Sequence, residues 1–230
     1  MTTTDSYQNA TADARTYSSE GNAPLDATFD ALANPRCRVA LRHLAECDDA
    51  LVVDDLVAHL AGEFDEAASE TRLGTSLHHT HLPKLDDAGL VEYDPDCGLV
   101  RLRDDSRFET LAPAIDALES ADSPVSTDVL LDLLSDFRRR QAILTLVRHD
   151  DLSLPDLADE VTVAERDEYL SNIDPDDVLE VYLSLYHTHV PKLAAADLVA
   201  YDQDGDHVAL TEAGRALESS VRSLCDSTAR

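Results

Sequence analysis

The chain has 230 residues, enough for one large domain or two small ones with buried cores. It carries 47 acidic and 18 basic residues, a formal charge of -29, yet 43% of its residues are hydrophobic, which excludes a disordered acidic tail. Acidic residues are spread along the whole chain, and lysine occurs only at positions 84 and 192, as Lys84 and Lys192. This pattern is typical of cytoplasmic proteins of salt-accumulating halophiles, where molar salt screens charge over roughly 3 Å.

Several classes of protein are disfavoured by what the sequence lacks. The N-terminal stretch is polar and no run of 18 apolar residues occurs, so we expect neither secretion nor a membrane span, and a cytoplasmic location. The four cysteines show no CxxC pair or metal-finger spacing and are interpreted as free thiols. Because the sequence has no Gly-rich phosphate loop and no GxSxG motif, we predict no enzyme activity, no cofactor and no metal site.

The predicted elements begin after a Ser/Thr/Asn-rich segment, 1–24, which is predicted to be a disordered tail. Apolar spacing then predicts a short helix, a turn at Asn34-Pro35 and a longer helix, followed by a helix at 53–60. A third helical segment carries SLHHTHLPKL at 76–85, and VEYDPDCGLVRLR predicts two short strands around a turn. Helices followed by a hairpin are the order of a winged helix-turn-helix.

The same order returns later in the chain. SLYHTHVPKL at 184–193 repeats the decapeptide, and 13 of 19 positions are identical between 76–94 and 184–202. We therefore predict a mainly α fold with small β-hairpin wings, formed by two tandem winged helix-turn-helix domains: copy one (25–104) and copy two (126–211). Residues 105–125 are predicted to form a linker or bridging helix, and 212–230 a C-terminal helix and tail, with Thr211 as N-cap.

A helical projection of 76–88 separates the decapeptide into two faces. Leu77, His78, His81, Leu82, Leu85 and Ala88 are predicted to pack inward, and Ser76, His79, Thr80, Pro83 and Asp87 to face outward. Pro83 should kink the helix or split it, because it removes the bond back to His79. His79 and His81 point in nearly opposite directions, so one helix cannot bring both to one metal ion. His81 and His189 are interpreted as histidines at the edge of the core.

The string [Y/H]HTH[L/V]PKL, followed by A-x-L-V-x-Y-D, resembles a winged-helix domain family of halophilic archaea that is largely of unknown function. The resemblance covers about 25–103 and 127–214. It implies a transcriptional regulator, by analogy only. Carried over by position, it implies DNA-contacting residues on the third helix of each copy: Ser76, His79, Thr80 and Lys84, then Ser184, His187, Thr188 and Lys192.

Other basic residues are further candidates. Arg101 and Arg103 lie on the returning strand of the first wing, although both wing tips are acidic. Near the starts of the two long helices, five arginines in all could contact the DNA backbone or instead form ion pairs that hold the domain together: Arg36, Arg38, Arg138, Arg139 and Arg140.

Two functions remain open from the sequence. The first is a DNA-binding transcriptional regulator that acts as a covalent pseudo-dimer on double-stranded DNA. The alternative is a protein-protein interaction module of winged helices that no longer bind DNA, docking a partner or a second copy through the 107–124 helix, the C-terminal helix or the acidic wings.

Overall fold

The computed structural model describes residues 23–64 and 70–226, so the predicted tail at 1–24 lies almost wholly outside the described residues. Copy one contains helices α1 (Ala23–Leu32), α2 (Pro35–Ala45), α3 (Val53–Glu63), α4 (Glu70–Ser76) and α5 (Leu82–Asp87), and strands β1 (Leu51–Val52), β2 (Val91–Asp94) and β3 (Leu99–Leu102). A π-helical turn, Leu77–His81, joins α4 to α5. The predicted bridging helix is present as α6 (Phe108–Ser120).

Copy two repeats this order. Its helices are α7 (Thr127–Leu134), α8 (Phe137–His149), α9 (Leu154–Arg166), α10 (Pro175–Ser184) and α11 (Val190–Ala195), and its strands are β4 (Asp151–Ser153), β5 (Val199–Asp202) and β6 (His207–Leu210). A second π-helical turn, Leu185–His189, joins α10 to α11. The C-terminal helix begins at the predicted cap, because the Thr211 hydroxyl accepts from Gly214 N–H, but it is divided into α12 (Glu212–Ala216) and α13 (Glu218–Asp226).

Each copy contains one small antiparallel sheet of three strands. The strand orders are β1-β3-β2 and β4-β6-β5, so the hairpin of each copy is extended by a short strand that precedes α3 in copy one and α9 in copy two. These extra strands, of two and three residues, are too short for an alternating pattern, and the sequence predicted only the hairpins. The predicted fold class is confirmed: mainly helical, with two repeated domains whose element order is compatible with tandem winged helices.

Side chains that cap helices set where several elements begin. The Asn34 side chain accepts a hydrogen bond from Arg36 N–H, and Asp136 accepts one from Arg139 N–H at the equivalent corner of copy two. Ser126 caps α7 and Ser153 caps α9 in the same way. In both copies, therefore, the corner between the first two helices is set by a side chain that accepts a hydrogen bond from a backbone N–H in the first turn of the second helix.

The two copies pack against each other through equivalent helices. α1 packs against α7, and α6 packs against α13, so the predicted bridging helix and C-terminal helix contact each other within the chain. Their apolar faces belong to one continuous core, which includes Phe29, Leu32, Ile115, Leu134 and Leu224.

Two ion pairs join the copies reciprocally, and we call them the Arg-Asp clasp. Arg38 of copy one donates to Asp128 at 2.6 Å, and Arg140 of copy two donates to Asp26 at 2.6 Å. Each residue of one pair stands 102 positions from its counterpart in the other. Contacts of residue i with j′ and of j with i′ are characteristic of an interface with two-fold symmetry. The duplicated chain therefore folds with a local two-fold relation between its copies.

None of the helices at 23–64 or 70–226 combines the length and the apolar character that crossing a membrane requires.

Candidate nucleic-acid interface

The repeated decapeptide forms a helix interrupted by one wide turn. We call α4, its π-turn and α5 the first recognition helix, and α10, its π-turn and α11 the second. Leu82 N–H donates to Leu77 O, five residues back, and Val190 N–H donates to Leu185 O. Proline cannot donate a bond and its ring crowds the carbonyl four residues earlier, so the widened turn gives the proline room without ending the helix. The predicted local disruption is therefore a π-turn in both copies.

The side chains of the first recognition helix divide as the helical projection predicts. Leu77, His81, Leu82, Leu85 and Ala88 are buried and His78 is half-buried. On the other face, His79, Thr80 and Asp87 are exposed, while Ser76 and Pro83 are half-buried.

In copy two, the positions equivalent to His79 and Thr80 are likewise exposed: His187 and Thr188. The protein thus presents the same His-Thr pair to solvent on two equivalent helices.

One inward histidine on each recognition helix, His81 or His189, packs the helix against the domain core. His81 Nδ1 lies 3.6 Å from Cys37 Sγ, and His189 Nδ1 lies 3.5 Å from Asp136 Oδ1. Burial lowers the pKa of both imidazoles, with Arg36 adding to the effect at His81 and Asp136 opposing it at His189. Both histidines are therefore neutral core-edge residues at pH 7, as interpreted from the sequence. Burial also raises the pKa of the Cys37 thiol to about 11, so this cysteine stays protonated.

One lysine on each recognition helix forms an ion pair with the first helix of the same copy. Lys84 Nζ lies 2.9 Å from Asp30 Oδ2, and Lys192 Nζ lies 2.8 Å from Asp132 Oδ2. All four side chains are at least one-third exposed, so each pair contributes only about 0–1 kcal/mol and can exchange its carboxylate for another anion. The lysines are thus held beside the outward face without being fixed there.

Most of the arginine candidates are engaged inside the protein. Arg38, Arg139 and Arg140 are buried. Arg139 donates to Leu133 O and Asp132 O at the end of α7, while Arg38 and Arg140 form the clasp. Of the two roles left open for these arginines, the contacts favour the one within the protein, because reaching a phosphate would break buried interactions.

The other two arginines occupy different surroundings in the two copies. Arg138 is half-buried and binds Glu165 through two nitrogens, Glu180 through a third contact and the Ser184 hydroxyl at 3.0 Å. Its counterpart Arg36 is also half-buried and stands 5.8 Å from the centre of the Phe64 ring. Ser184 is therefore held by an arginine and a carbonyl, Val181 O, rather than presented freely to solvent.

The arginines of the first wing are exposed but paired. Arg101 contacts Glu92 on the neighbouring strand at 2.7 Å, and Arg103 contacts Asp105 at 3.2 Å. Pairs of this exposure contribute little to stability, so these guanidinium groups stay available at the surface.

The wings differ in how they are held. In copy one, Gly98 takes the positive φ at the wing turn, and His78 Nδ1 lies 2.8 Å from the Tyr93 hydroxyl. In copy two, Asp206 takes the equivalent positive φ, and its carboxylate accepts from the hydroxyls of Tyr182, on α10, and Tyr201, on β5. Burial and the bond to Asp206 raise the pKa of both tyrosines. The second wing is therefore fastened to its recognition helix through a carboxylate.

Several residues that shape this surface were not predicted. Asp26 and Asp128 repeat at the same 102-residue offset as Arg38 and Arg140, but this repetition does not indicate which arginine each aspartate binds. The first turns of the recognition helices, with exposed Thr71, Arg72 and Thr75 in copy one, lie before or at the edge of the repeated decapeptide and carry no repeated motif. Within the described ranges, no group of three or more His, Cys, Asp or Glu side chains could hold a metal ion.

Comparison with known proteins identifies both copies with one family. Residues 29–101 and 131–209 each match the family model described as Domain of unknown function (DUF7344). Both matches lie within the predicted boundaries of copy one and copy two. No curated protein and no solved structure matches the chain.

Proposed function

The chain belongs to the DUF7344 family, with two copies of its domain, and we propose that it is a transcriptional regulator that binds double-stranded DNA as a covalent pseudo-dimer. In this proposal the two recognition helices enter the major groove at two half-sites about one turn of DNA apart. The exposed His79 and Thr80, with His187 and Thr188, contact base edges, while Lys84 and Lys192 exchange their carboxylates for phosphates.

One observation carries the proposal: equivalent recognition helices, each presenting the same outward His-Thr pair, are related by a local two-fold through the Arg-Asp clasp. DNA-binding helix-turn-helix dimers use two-fold symmetry because duplex DNA has local two-fold symmetry. A reciprocal interface fixes the two outward faces relative to each other, as binding to two half-sites requires.

The charge of -29 opposes approach to DNA in dilute salt. We infer that the protein works in the cytoplasm of a halophilic archaeon, where molar salt screens this repulsion over roughly 3 Å. Counterion release then contributes little, and hydrogen bonds and shape at the interface determine affinity. DNA binding should accordingly be measured in multimolar KCl.

The test is selection of bound fragments from sheared genomic DNA by the purified full chain in multimolar KCl, followed by sequencing. We expect enrichment of a small set of sites. The control is a variant with His79→Ala, Thr80→Ala, His187→Ala and Thr188→Ala, whose exposed substitutions should leave its circular dichroism and unfolding curve unchanged. Enrichment that survives in this variant, or a folded wild type that enriches nothing, contradicts the proposal.

A specific observation favours a second function, a protein-protein interaction module. Large apolar side chains are exposed on copy two: Leu179 at 52%, Leu183 at 44% and Tyr169 at 81%. The two helices first expected to dock a partner, α6 and α13, instead pack against each other. Under this alternative, replacing Leu179 and Leu183 with Glu abolishes partner capture, whereas replacing His79 and His187 with Ala leaves it unchanged.

A further inference from the structure

We infer that the two recognition helices contribute unequally to DNA recognition: copy one discriminates between base sequences, through Arg72 and Thr75 in addition to His79 and Thr80, and copy two adds little discrimination. This inference rests on the proposed function and deepens it. It is carried by three differences between the copies, in the outward stripe, in the charge and in the wing.

The outward stripe of each recognition helix is the first difference. Residues four apart lie on successive turns of the same face. In copy one the exposed stripe is Thr71, Thr75 and His79, whose side chains are all polar. The Thr75 hydroxyl donates to Thr71 O at 2.8 Å and so offers base edges an acceptor, while Thr71 and His79 can donate or accept.

In copy two the equivalent stripe is Leu179, Leu183 and His187, with both leucines exposed. Aliphatic side chains can contact the thymine methyl group but leave the polar atoms of the other base edges without partners. The first half of the second recognition helix is thus poorly suited to distinguishing bases.

Charge is the second difference. Arg72 is exposed on the first turn of the first recognition helix, and its equivalent in copy two is Glu180. The first turn of α10 also carries Asp176 and Asp177, against Glu70 in the first turn of α4, while Asp87 of copy one is replaced by Ala195. The charge difference therefore rests on Arg72 and Glu180. A guanidinium can contact guanine or a phosphate, whereas carboxylates repel the phosphates that flank the groove.

The fastening of the second wing is the third difference. Asp206 joins the wing to Tyr182 of α10, on the turn before the outward His-Thr pair. The corresponding positions in copy one are Gly98 and Gly74, which have no side chains to make such a bond. The first wing is joined to its helix by a different pair, the His78 imidazole and the Tyr93 hydroxyl, which lie 2.8 Å apart. The two wings therefore differ in that the second is held by a carboxylate, which repels phosphates.

The experiment compares matched double variants on one DNA. The DNA is the fragment most enriched by the wild-type chain, and its affinity is measured in multimolar KCl beside a scrambled fragment of equal length. Thr75→Ala with His79→Ala alters copy one, and Leu183→Ala with His187→Ala alters the same two positions in copy two. We expect the copy-one variant to lose roughly tenfold or more of the ratio between selected and scrambled affinities, and the copy-two variant less than roughly threefold.

Arg72→Ala provides an independent check, since one exposed substitution should not disturb folding. It is expected to weaken binding to the selected fragment, while Glu180→Ala does not. If the two double variants lose this affinity ratio equally, or the copy-two variant loses more, unequal recognition is contradicted while DNA binding itself is not. A wild-type chain that is folded and enriches no fragment overturns the proposed function and this inference together.

Discussion

The surfaces where the two copies meet are closely matched, whereas the surfaces that face outward have diverged. At the junction, Asp26 and Arg38 of copy one correspond to Asp128 and Arg140 of copy two, and the four residues form two equivalent pairs. Outward, a polar stripe in one copy corresponds to an apolar and acidic one in the other. The comparison indicates that pairing of the copies constrains both halves alike, while the first turns of the outward helices are free to differ.

The largest expected effect comes from breaking the matched junction. Arg140→Asp places two carboxylates together at a site where the arginine side chain is 2% exposed and is flanked by the Phe29 and Phe137 rings. We expect the free energy of unfolding to fall by about 3–5 kcal/mol, the usual cost of breaking a buried pair. Chemical unfolding in multimolar KCl measures it.

The control is the charge exchange Asp26→Arg with Arg140→Asp, which should recover part of the lost stability. A double variant no more stable than Arg140→Asp alone would show that the ion pair is not what holds the copies together here. Arg38→Asp is expected to behave similarly, because Arg38 binds Asp128 and Glu119 together.

We expect an effect of intermediate size from the two buried histidines, which should make the free energy of unfolding depend on pH. Burial holds the pKa of His81 and His189 below the ordinary 6.5, so in this range the unfolded chain binds more protons than the folded one. Stability should be complete above pH 6.5 and fall as the pH drops from there toward the lowered folded values. Denaturant unfolding at a series of pH values between 7 and 5 measures the slope.

Replacement by glutamine sharpens the comparison between copies. His81→Gln and His189→Gln should each flatten the pH dependence, because each removes an imidazole whose pKa is lowered by burial. Slopes that remain unchanged in both variants would assign the pH dependence to other groups.

The smallest effect is expected at the two lysines. Lys84→Ala and Lys192→Ala each remove one partly exposed ion pair, so unfolding free energy should fall by at most about 1 kcal/mol. Under the proposed function both variants should weaken DNA binding to selected and scrambled fragments alike. A loss confined to the selected fragment would instead make the lysines contacts to base edges.

The sequence was sufficient for the features that depend on local periodicity and repetition. It predicted the two copies, the hairpins, the cap at Thr211 and the division of the decapeptide into inward and outward faces. These properties follow from the spacing of apolar residues along single helices and strands.

Features that depend on which elements meet could not be predicted from local pattern. Nothing near Arg140 in the sequence indicates that its partner is Asp26, 114 residues away, so a buried clasp and a surface patch of arginines look alike. The fastening of Asp206 to Tyr182 likewise requires knowing that the second wing folds against α10. The π-turn was anticipated only as a kink or a split of the helix, because the spacing of side chains does not fix how the backbone accommodates proline.

The local two-fold of the clasp has a consequence for the polarity of any DNA that both copies contact. The copies follow each other head to tail along the chain, which by itself would suit a direct repeat. Because the clasp turns one copy around relative to the other, its recognition helix would run along the duplex in the reverse direction. The two half-sites must then lie on opposite strands, as an inverted repeat whose arms need not be equally well defined.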